Sequence, residues 1–450
     1  MLIFLYWLVL LENEDNRMKI LGIDIGTTTI SAVVLDMRMQ NVEKAYTINN
    51  SSFLTSDYIW EKIQDPAVII AKAKKLVDMI LEEYPDIVKI GLTGQMHGIV
   101  YIDDNGKAIS PLYTWQDSRC NEKYFNGESI GQIIEKKTGR NVPTGYGLAT
   151  HIFNLRKGFV PQNAVQICTI MDYFGMILTG EKKPLMHSSN AASFGFYETK
   201  DNAFAKEDLE TMEVDTSILP RVTEYFTVLG EYRGCMVTVA IGDNQASFLG
   251  AVQDTKNSIL VNMGTGGQIS VLSDQCFIAE NIEARPFMKD RYLLAGSSLC
   301  GGRAYATLAK FFELYAEAMS AAETDHYAVM EKLLEKRSEE EYLKVDTRFS
   351  GTRAEPEKRG KIEEISTDNF TPAALIYGVL DGMAEELYSM YRTITAQTGD
   401  KKEKMIASGN GIRKNVWLQQ IMSQKFQMPI QLAECEEEAA VGAAKSTTTV

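Results

Sequence analysis

The chain reads as a mixed α/β protein built from two domains. Three observations predict this. Its 450 residues exceed what one ordinary hydrophobic core organises. Strand-like and helix-like segments alternate along most of its length, which favours layered α/β architecture over a helical bundle or a β-sandwich. A strand, a glycine-rich turn and a second strand occur twice, each time opening one half of the chain, as an internal duplication would leave them.

Taken in order, residues 1–10 (MLIFLYWLVL) are apolar but fall short of the roughly 20 residues of a membrane span. They lack a basic flank and a small-residue cleavage site, so a signal peptide fits poorly. Met18 opens the first convincing strand, and residues 1–17 are expected to lie upstream of the true start or to form a packed extension. Residues 19–36 (KILGIDIGTTTISAVVLD) place two β-branched runs around a Gly-Thr-Thr-Thr turn and predict a hairpin. Residues 258–272 (SILVNMGTGGQISVL) repeat that plan. Between them, Val68, Ile69, Leu76 and Ile80 recur at helical spacing after Pro66, which is tolerated in a first turn, and 87–93 reads as a buried strand. Asp103-Asp104-Asn105-Gly106 supplies turn chemistry.

In the second half, Ile376, Val379, Met383, Leu387 and Tyr391 mark one face of a long helix over 371–397. A strand (404–407), a turn (408–411), a helix (414–425), a strand (428–432) and a last helix (436–445) follow. A further helix is expected over 303–313. The charged stretch 334–362 reads as a solvated helix end plus a surface loop without a binding role. The domains are expected at 18–244 and 245–450, with a hinge near 241–256.

Bulk composition narrows the function classes. Hydrophobic residues at 45% and charged residues at 24% are ordinary for a globular protein. A net charge of −14, without a Lys/Arg stripe interleaved with aromatics, argues against nucleic acid as a partner. Six cysteines with no CxxC pair read as buried thiols in a reducing, cytoplasmic setting, and four scattered histidines rule against a zinc hydrolase.

Several short motifs carry chemistry. In Asp24-Ile25-Gly26-Thr27-Thr28-Thr29, glycine lets a backbone approach phosphate while threonine hydroxyls and amides donate to it. Asp24, at the end of a buried strand, needs a compensating partner, and a water-coordinated Mg²⁺ suits it. Gly264-Thr265-Gly266-Gly267 is a second loop of the same kind. Ser408-Gly409-Asn410-Gly411, between a strand and a helix, and Gly301-Gly302 before a helix suit close approach of a ligand to backbone. Asp243 follows an apolar strand and precedes a small-residue helix, at the edge where α/β folds bind ligands. A carboxylate there can accept a hydroxyl proton during attack on phosphorus, or simply cap a helix. Gly94-Gln95-Met96-His97-Gly98 and Trp115-Gln116-Asp117-Ser118-Arg119 cluster amide, imidazole, carboxylate and indole groups, as a polyol requires.

With these residues in view, the chain resembles the FGGY carbohydrate kinases of the actin-like ATPase superfamily. The likeness runs in order from Met18 through DIGTTT, GQMHG, WQDSR, MDYFGMILTG, SNAAS, GDNQAS, NMGTGG, the Gly-Gly pair and ASGNG. Within the family, LTGQMHGIVYID, TWQDSRC, TGYGLATHIF and SNAASFGFY are most similar to sedoheptulokinases, while GQMHG is shared with xylulokinases. The resemblance implies two ribonuclease-H-like domains with an interdomain cleft, ATP and Mg²⁺ as cofactors, and a small-molecule sugar as partner. It involves no nucleic acid and no membrane, and it leaves a homodimer open. It implies Asp243 as catalytic base and Asp24 as the Mg²⁺-linked carboxylate. Thr27, Thr28, Gly264 and Thr265 correspond to phosphate contacts, and Gly302, Gly409 and Asn410 to positions near adenosine. Gln95, Met96, His97, Asp117 and Asn244 match or adjoin sugar contacts. The first domain would then carry the sugar and the first phosphate loop, the second the nucleotide. The expected activity is phosphorylation of a ketose primary hydroxyl, sedoheptulose first and xylulose next. A non-catalytic ATP-binding module is the rival from another class. Two departures stand out: Ser31 replaces the family's basic residue after the first phosphate loop, and Ser-Gly-Asn-Gly replaces the more usual Gly-Gly near adenosine.

Overall fold

A computed structural model describes residues 19–39, 41–320, 325–338, 342–353 and 355–448. The expectations for residues 1–17 lie outside the described residues. The chain divides into two compact units. Unit 1 comprises the chain up to Ala251, Pro286–Asp290 and the segment from Cys435 onward; unit 2 comprises Val252–Arg285 and Arg291–Glu434.

In unit 1 the predicted hairpin forms from β1 (Lys19–Ile25) and β2 (Thr29–Asp36), paired antiparallel from Lys19–Asp36 to Ile25–Ile30. β3 (Asn41–Asn49) adds antiparallel to β2, while Ile87–Gly94 lies parallel to β1 on its other side. Cys235–Thr238 continues the sheet, parallel to Ile87–Gly94. In unit 2, Ser258–Met263 and Gly267–Ser273 form the second hairpin. Arg291–Ser298 joins it antiparallel, Lys404–Ser408 joins it parallel, and Ile430–Leu432 extends the sheet in parallel. The order of the five strands is therefore the same in both units, with the hairpin's second strand the reversed one. The duplication suggested by two short motifs is a duplication of sheet topology.

Each sheet is backed by a long helix ahead of its parallel strand. Pro66–Glu83 starts at Asp65, whose carboxylate accepts from the amides of Ala67 and Val68, and it buries Ile69, Ala73, Leu76, Val77 and Ile80. Pro372–Thr398 starts at Thr371, whose side chain accepts from the Ala374 amide, and it buries the predicted stripe of Ile376, Val379, Met383, Leu387 and Tyr391. Proline in the first turn lacks only an N–H that a helix start would leave unpaired anyway.

The units do not follow a single cut between residues 244 and 245. Asp243–Ala251 is one helix of unit 1, and the last helix, Glu438–Ser446, also belongs to unit 1. Close backbone packing decides this. A β-carbon on Gly91 would stand 1.8 Å from the Ala443 carbonyl oxygen, and one on Gly442 would stand 1.7 Å from that of Ala246. Gly301 and Gly302 form the first turn of the helix Gly301–Ala318 instead of preceding it. Among the described residues of the charged stretch, Lys344–Asp346 pairs antiparallel with Lys361–Glu363, a hairpin where a plain surface loop was expected. All six cysteines are free, and Cys276 and Cys435 are only half-buried. No helix among the described residues is long and apolar enough to cross a membrane.

Two histidines are sealed into unit 1. Burial lowers His151 to about 4, where its Nδ1 lies 2.9 Å from the Tyr101 hydroxyl, and lowers His187 to about 3. Both are neutral when folded and titrate near 6.5 when unfolded, so the unfolded chain binds more protons below that pH. Their stabilisation is complete above pH 6.5 and is lost as pH falls toward 4. The His151 share amounts to about 3 kcal/mol at 1.36 kcal/mol per pH unit. Denaturant titrations from pH 7.5 to 4.5 should give a flatter stability profile for His151→Gln than for the parent chain; parallel profiles would contradict the assignment.

Candidate active site

The turn between β1 and β2 is bound into the sugar-type motif by side chains. Trp115 Nε1 donates to Thr27 Oγ1 at 3.0 Å, and that hydroxyl donates to Gln95 Oε1 at 3.2 Å. Gln95 Nε2 donates to Gln64 Oε1, and Gln64 Nε2 returns to the Thr27 carbonyl, closing a ring. Thr27 is therefore a junction between hairpin and Gln95, while Thr28 at the turn's tip is exposed. Gln95 and Met96 are buried. His97 sits in the left-handed region at φ 72°, which turns its ring against Tyr146 with centroids 4.3 Å apart. Its Nδ1 lies 2.8 Å from the Ser193 carbonyl oxygen. That oxygen can only accept, so Nδ1 carries the proton and Nε2 is the acceptor nitrogen of the neutral ring.

Asp243 is the first residue of its helix and is half-buried. The chain leading to it is held on several sides. Asn190 Nδ2 donates to the Ala240 carbonyl, Thr93 Oγ1 donates to that of Ile241, and the Gly242 amide donates to Ser189 Oγ. Gly242 is required here, because a β-carbon would meet Gln245 Oε1 at 2.6 Å and Met96 Cε at 2.7 Å. Asn244 Nδ2 donates to Asp243 Oδ1 at 2.8 Å and lies 3.8 Å from Met96 Sδ. The structure thus brings Asp243 and Asn244 together with Met96.

Asp24 is pushed up to about 7, first by burial, then by the negative charges of Asp243 and Glu437. None of the influences acting on it is a cation. Directly across the hairpin stands Ser31, buried and hydrogen-bonded to Thr47 Oγ1, which in turn donates to Glu437 Oε1 at 3.0 Å. Where the family resemblance calls for a basic residue, unit 1 has a hydroxyl relay ending on another carboxylate. A small divalent cation fits this group, since it would relieve Asp24 of burial and repulsion together. No set of three or more His, Cys, Asp or Glu among the described residues is arranged to hold a metal directly.

Asp117, expected at or beside a sugar contact, is engaged by neighbouring groups of the protein. It is fully buried, and Arg119 grips both its oxygens, Nε to Oδ1 at 2.7 Å and Nη2 to Oδ2 at 2.9 Å. The Lys62 amide adds a third bond at 3.0 Å. Arg119 is itself boxed by the rings of Trp60, Tyr113 and Phe153. This ion pair fixes the segment that carries Trp115. Gln64, Tyr146 and Glu437 are the site residues that motif reading missed. Gln64 and Glu437 sit in stretches without motif character, and Tyr146 lies in TGYGLATHIF, which stood out only by resemblance.

Unit 2 gathers its three glycine loops on backbone contacts. The Gly302 amide donates to the Gly264 carbonyl and the Arg303 amide to that of Thr265, both at 3.0 Å. A β-carbon on Gly302 would stand 2.4 Å from the Gly264 carbonyl oxygen. Gly409, at φ 85°, lies against Met263 so closely that a β-carbon would meet its carbonyl oxygen at 2.6 Å. Gly264, Thr265 and Asn410 are exposed on this cluster. The exposed Thr265 hydroxyl and Asn410 side-chain amide are donors of the kind a polyphosphate can use, while the Gly264, Gly302 and Arg303 amides hold the loops together.

The description "FGGY family of carbohydrate kinases, N-terminal domain" matches residues 19–260, and the corresponding C-terminal domain matches 259–447. Human sedoheptulokinase is 26% identical, the match covering 94% of this chain and 96% of that protein. A gluconokinase of Bacillus subtilis is 24% identical over 94% of this chain and 86% of that protein. Among solved structures, the xylulose kinase of Rhodospirillum rubrum superposes with a TM-score of 0.79 at 23% identity, covering 96% of this chain and 89% of that one. Repeated sheet topology, paired glycine hairpins and two family domains spanning nearly all described residues lead to one assignment: the chain belongs to the FGGY family of carbohydrate kinases, and is a phosphotransferase acting on a sugar hydroxyl.

Proposed function

We propose that this kinase transfers the γ-phosphoryl group of ATP to a primary hydroxyl of a ketose, sedoheptulose first, giving sedoheptulose 7-phosphate. The observation that carries the reading is the placement of Asp243 beside Asn244 and Met96, with Met96 in the buried Gln95–His97 segment. Gln95, Met96, His97 and Asn244 form the sugar wall. His97 Nε2 accepts from a sugar hydroxyl, and the flat Tyr146 ring holds His97 in orientation. Asp117 acts through Arg119 as a positioning residue.

Asp243 orients the acceptor hydroxyl and takes its proton as the oxygen–phosphorus bond forms and the bond to the ADP oxygen breaks. Thr27 and Thr28 in unit 1, and Gly264 and Thr265 in unit 2, contact the phosphates, with the exposed Thr28 and Thr265 hydroxyls as donors; Gly302, Gly409 and Asn410 line the adenosine. Asp24 would hold Mg²⁺, which would supply charge neutralisation at the phosphates. Full-length likeness to the human and mouse sedoheptulokinases, at 26% and 24% identity, supports the heptulose. Xylulose is the second reading, favoured by the GQMHG segment and by xylulose kinases of Staphylococcus epidermidis at 24% identity.

A coupled ADP-release assay over sedoheptulose, xylulose, ribulose and glycerol should give the highest kcat/KM with sedoheptulose; a higher value for another sugar reassigns the substrate. Asp243→Asn should lower kcat by about 10³-fold or more, a general base being worth 10²–10⁴, with sugar binding nearly unchanged. Near-normal turnover would remove Asp243 from the mechanism. Asp24→Asn should raise the melting temperature of the nucleotide-free protein at pH 8, because it deletes a buried charge facing two others, while turnover drops. A lowered melting temperature would show that Asp24 is a structural anchor.

A further inference from the structure

Unit 2 contains a cavity of about 940 Å³, and none of its lining residues belongs to the three glycine loops. Its floor is one face of the helix Pro372–Thr398, and its wall is the hairpin of Lys344–Asp346 and Lys361–Glu363 with the connecting loop. Gly378 and Gly382 let that hairpin lie directly on the helix; a β-carbon on Gly382 would stand 2.2 Å from the Val345 carbonyl oxygen.

The lining charges largely cancel in place. Lys425 bridges Asp381 and Glu385 at 2.9 Å each, Arg348 grips Asp346, Lys358 pairs with Glu355, and Lys344 with Glu363. Such a lining offers many donors and acceptors without one dominant sign, which disfavours an ionic ligand and favours a neutral one rich in hydroxyls. Three polar groups on the lining are under-used. Thr347 is buried with its hydroxyl unpartnered, and the Oδ1 of Asn281 is likewise buried and unpartnered. Glu386 has one hydrogen-bond partner, Ser298, whose hydroxyl donates to it at 2.8 Å, and burial raises its carboxyl above the usual range. Native proteins rarely leave buried polar atoms unsatisfied, and a bound ligand is one of the few reasons for it. Val345, Ile282 and Met390 add the apolar patch that a sugar's C–H face requires.

Ser298 also ties the cavity to the glycine loops. Its Oγ accepts from the Cys300 amide at 3.3 Å, directly before Gly301-Gly302, and its backbone pairs with Gly267. We propose that the cavity is a second, non-catalytic site for a neutral polyhydroxylated small molecule, a free sugar or alditol, whose occupancy alters nucleotide binding through Glu386 and Ser298. The binding claim stands on the cavity alone; the coupling claim rests on the assignment of the glycine loops to nucleotide.

Equilibrium dialysis of labelled D-sorbitol against the full chain without ATP tests the binding claim. Gln95→Ala, which weakens the acceptor site, should retain one equivalent of sorbitol. Thr347→Val and the space-filling Ser389→Trp, each combined with Gln95→Ala, should weaken that equivalent by about tenfold or more, a loss of 1.4 kcal/mol. Thr347→Val alone should keep the parent melting temperature and kcat, since it replaces an unpartnered hydroxyl with a methyl of similar size. Absence of sorbitol from the Gln95→Ala protein, or undiminished binding in the Thr347→Val combination, overturns the site. For coupling, ADP affinity should change at least about twofold with sorbitol in the parent chain and not in Thr347→Val. ADP affinity indifferent to sorbitol overturns the coupling, whereas failure to bind ADP at all refutes the nucleotide assignment instead.

Discussion

Unit 1 depends on the absence of side chains where its last helix lies against its sheet. Gly22 on β1 and Gly91 on the neighbouring strand face Glu438–Ser446 so closely that β-carbons would stand 1.9 and 1.8 Å from helix carbonyl oxygens. The same helix meets Asp243–Ala251 through Gly250 and Gly442, each against the other's backbone. No side chain can be added at these four positions without moving backbone, so the register of helix on sheet and helix on helix is fixed. The functional consequence is electrostatic. Helix register sets Glu437, just before the last helix, within the field of Asp24 at the end of β1, and Asp243 heads the helix alongside. Three carboxylates from distant parts of the chain converge because glycines let their carriers touch. Their repulsion opposes folding, and packing with no slack holds them together.

The two units use one strand plan for two kinds of recognition. In unit 1, the hairpin turn is joined by side chains: Thr27, Gln95, Gln64 and Trp115 form a ring of directional hydrogen bonds. Such a ring holds amide and hydroxyl groups in fixed orientation, and under the proposed function it would discriminate one polyol from another. In unit 2, the equivalent hairpin is joined by backbone alone, Gly264 and Thr265 to Gly302 and Arg303. A backbone-joined loop of this kind would, under the proposed function, serve phosphate whatever sugar it is destined for. The division explains why the unit 2 loops are plain glycine runs while the unit 1 motifs are rich in Gln, His, Trp and Asp.

The parts of this arrangement legible in the sequence are those set by local chemistry. Both hairpins, both proline-started helices and each glycine loop follow from short-range patterns, and the structure has them within a few residues of their expected places. Gly301-Gly302 was legible as a feature but not as a helix turn, because nothing local indicates that Gly264 and Gly266 pack where β-carbons would be. Glu437 was not legible at all. It lies in the run Glu434-Cys435-Glu436-Glu437-Glu438, which reads as a solvated acidic surface, and its contact with Thr47 spans 390 positions. Asp117 was legible as polar and important, yet its duty was not: Arg119, two residues on, was part of the same motif, and only burial shows that the two satisfy each other. The return of the last helix to unit 1 was illegible for the same reason as Glu437, being written in four scattered glycines.

Ser31 shows how such long-range placement changes the meaning of a substitution. Read along the chain, it is a lost cation near a phosphate loop. In the structure it faces Asp24 across the hairpin and passes a hydrogen bond through Thr47 to Glu437. A lysine or arginine at that position would lie beside Asp24 and neutralise part of the carboxylate cluster permanently. With serine there, Asp24 keeps its burial and its repulsion from Asp243 and Glu437, and the divalent ion of the proposed mechanism would gain all of that relief. Under that proposal the serine would shift favourable free energy from the resting fold to the loaded state. Nucleotide binding would then depend more on the metal, and the stability of unit 1 on whether its site is filled.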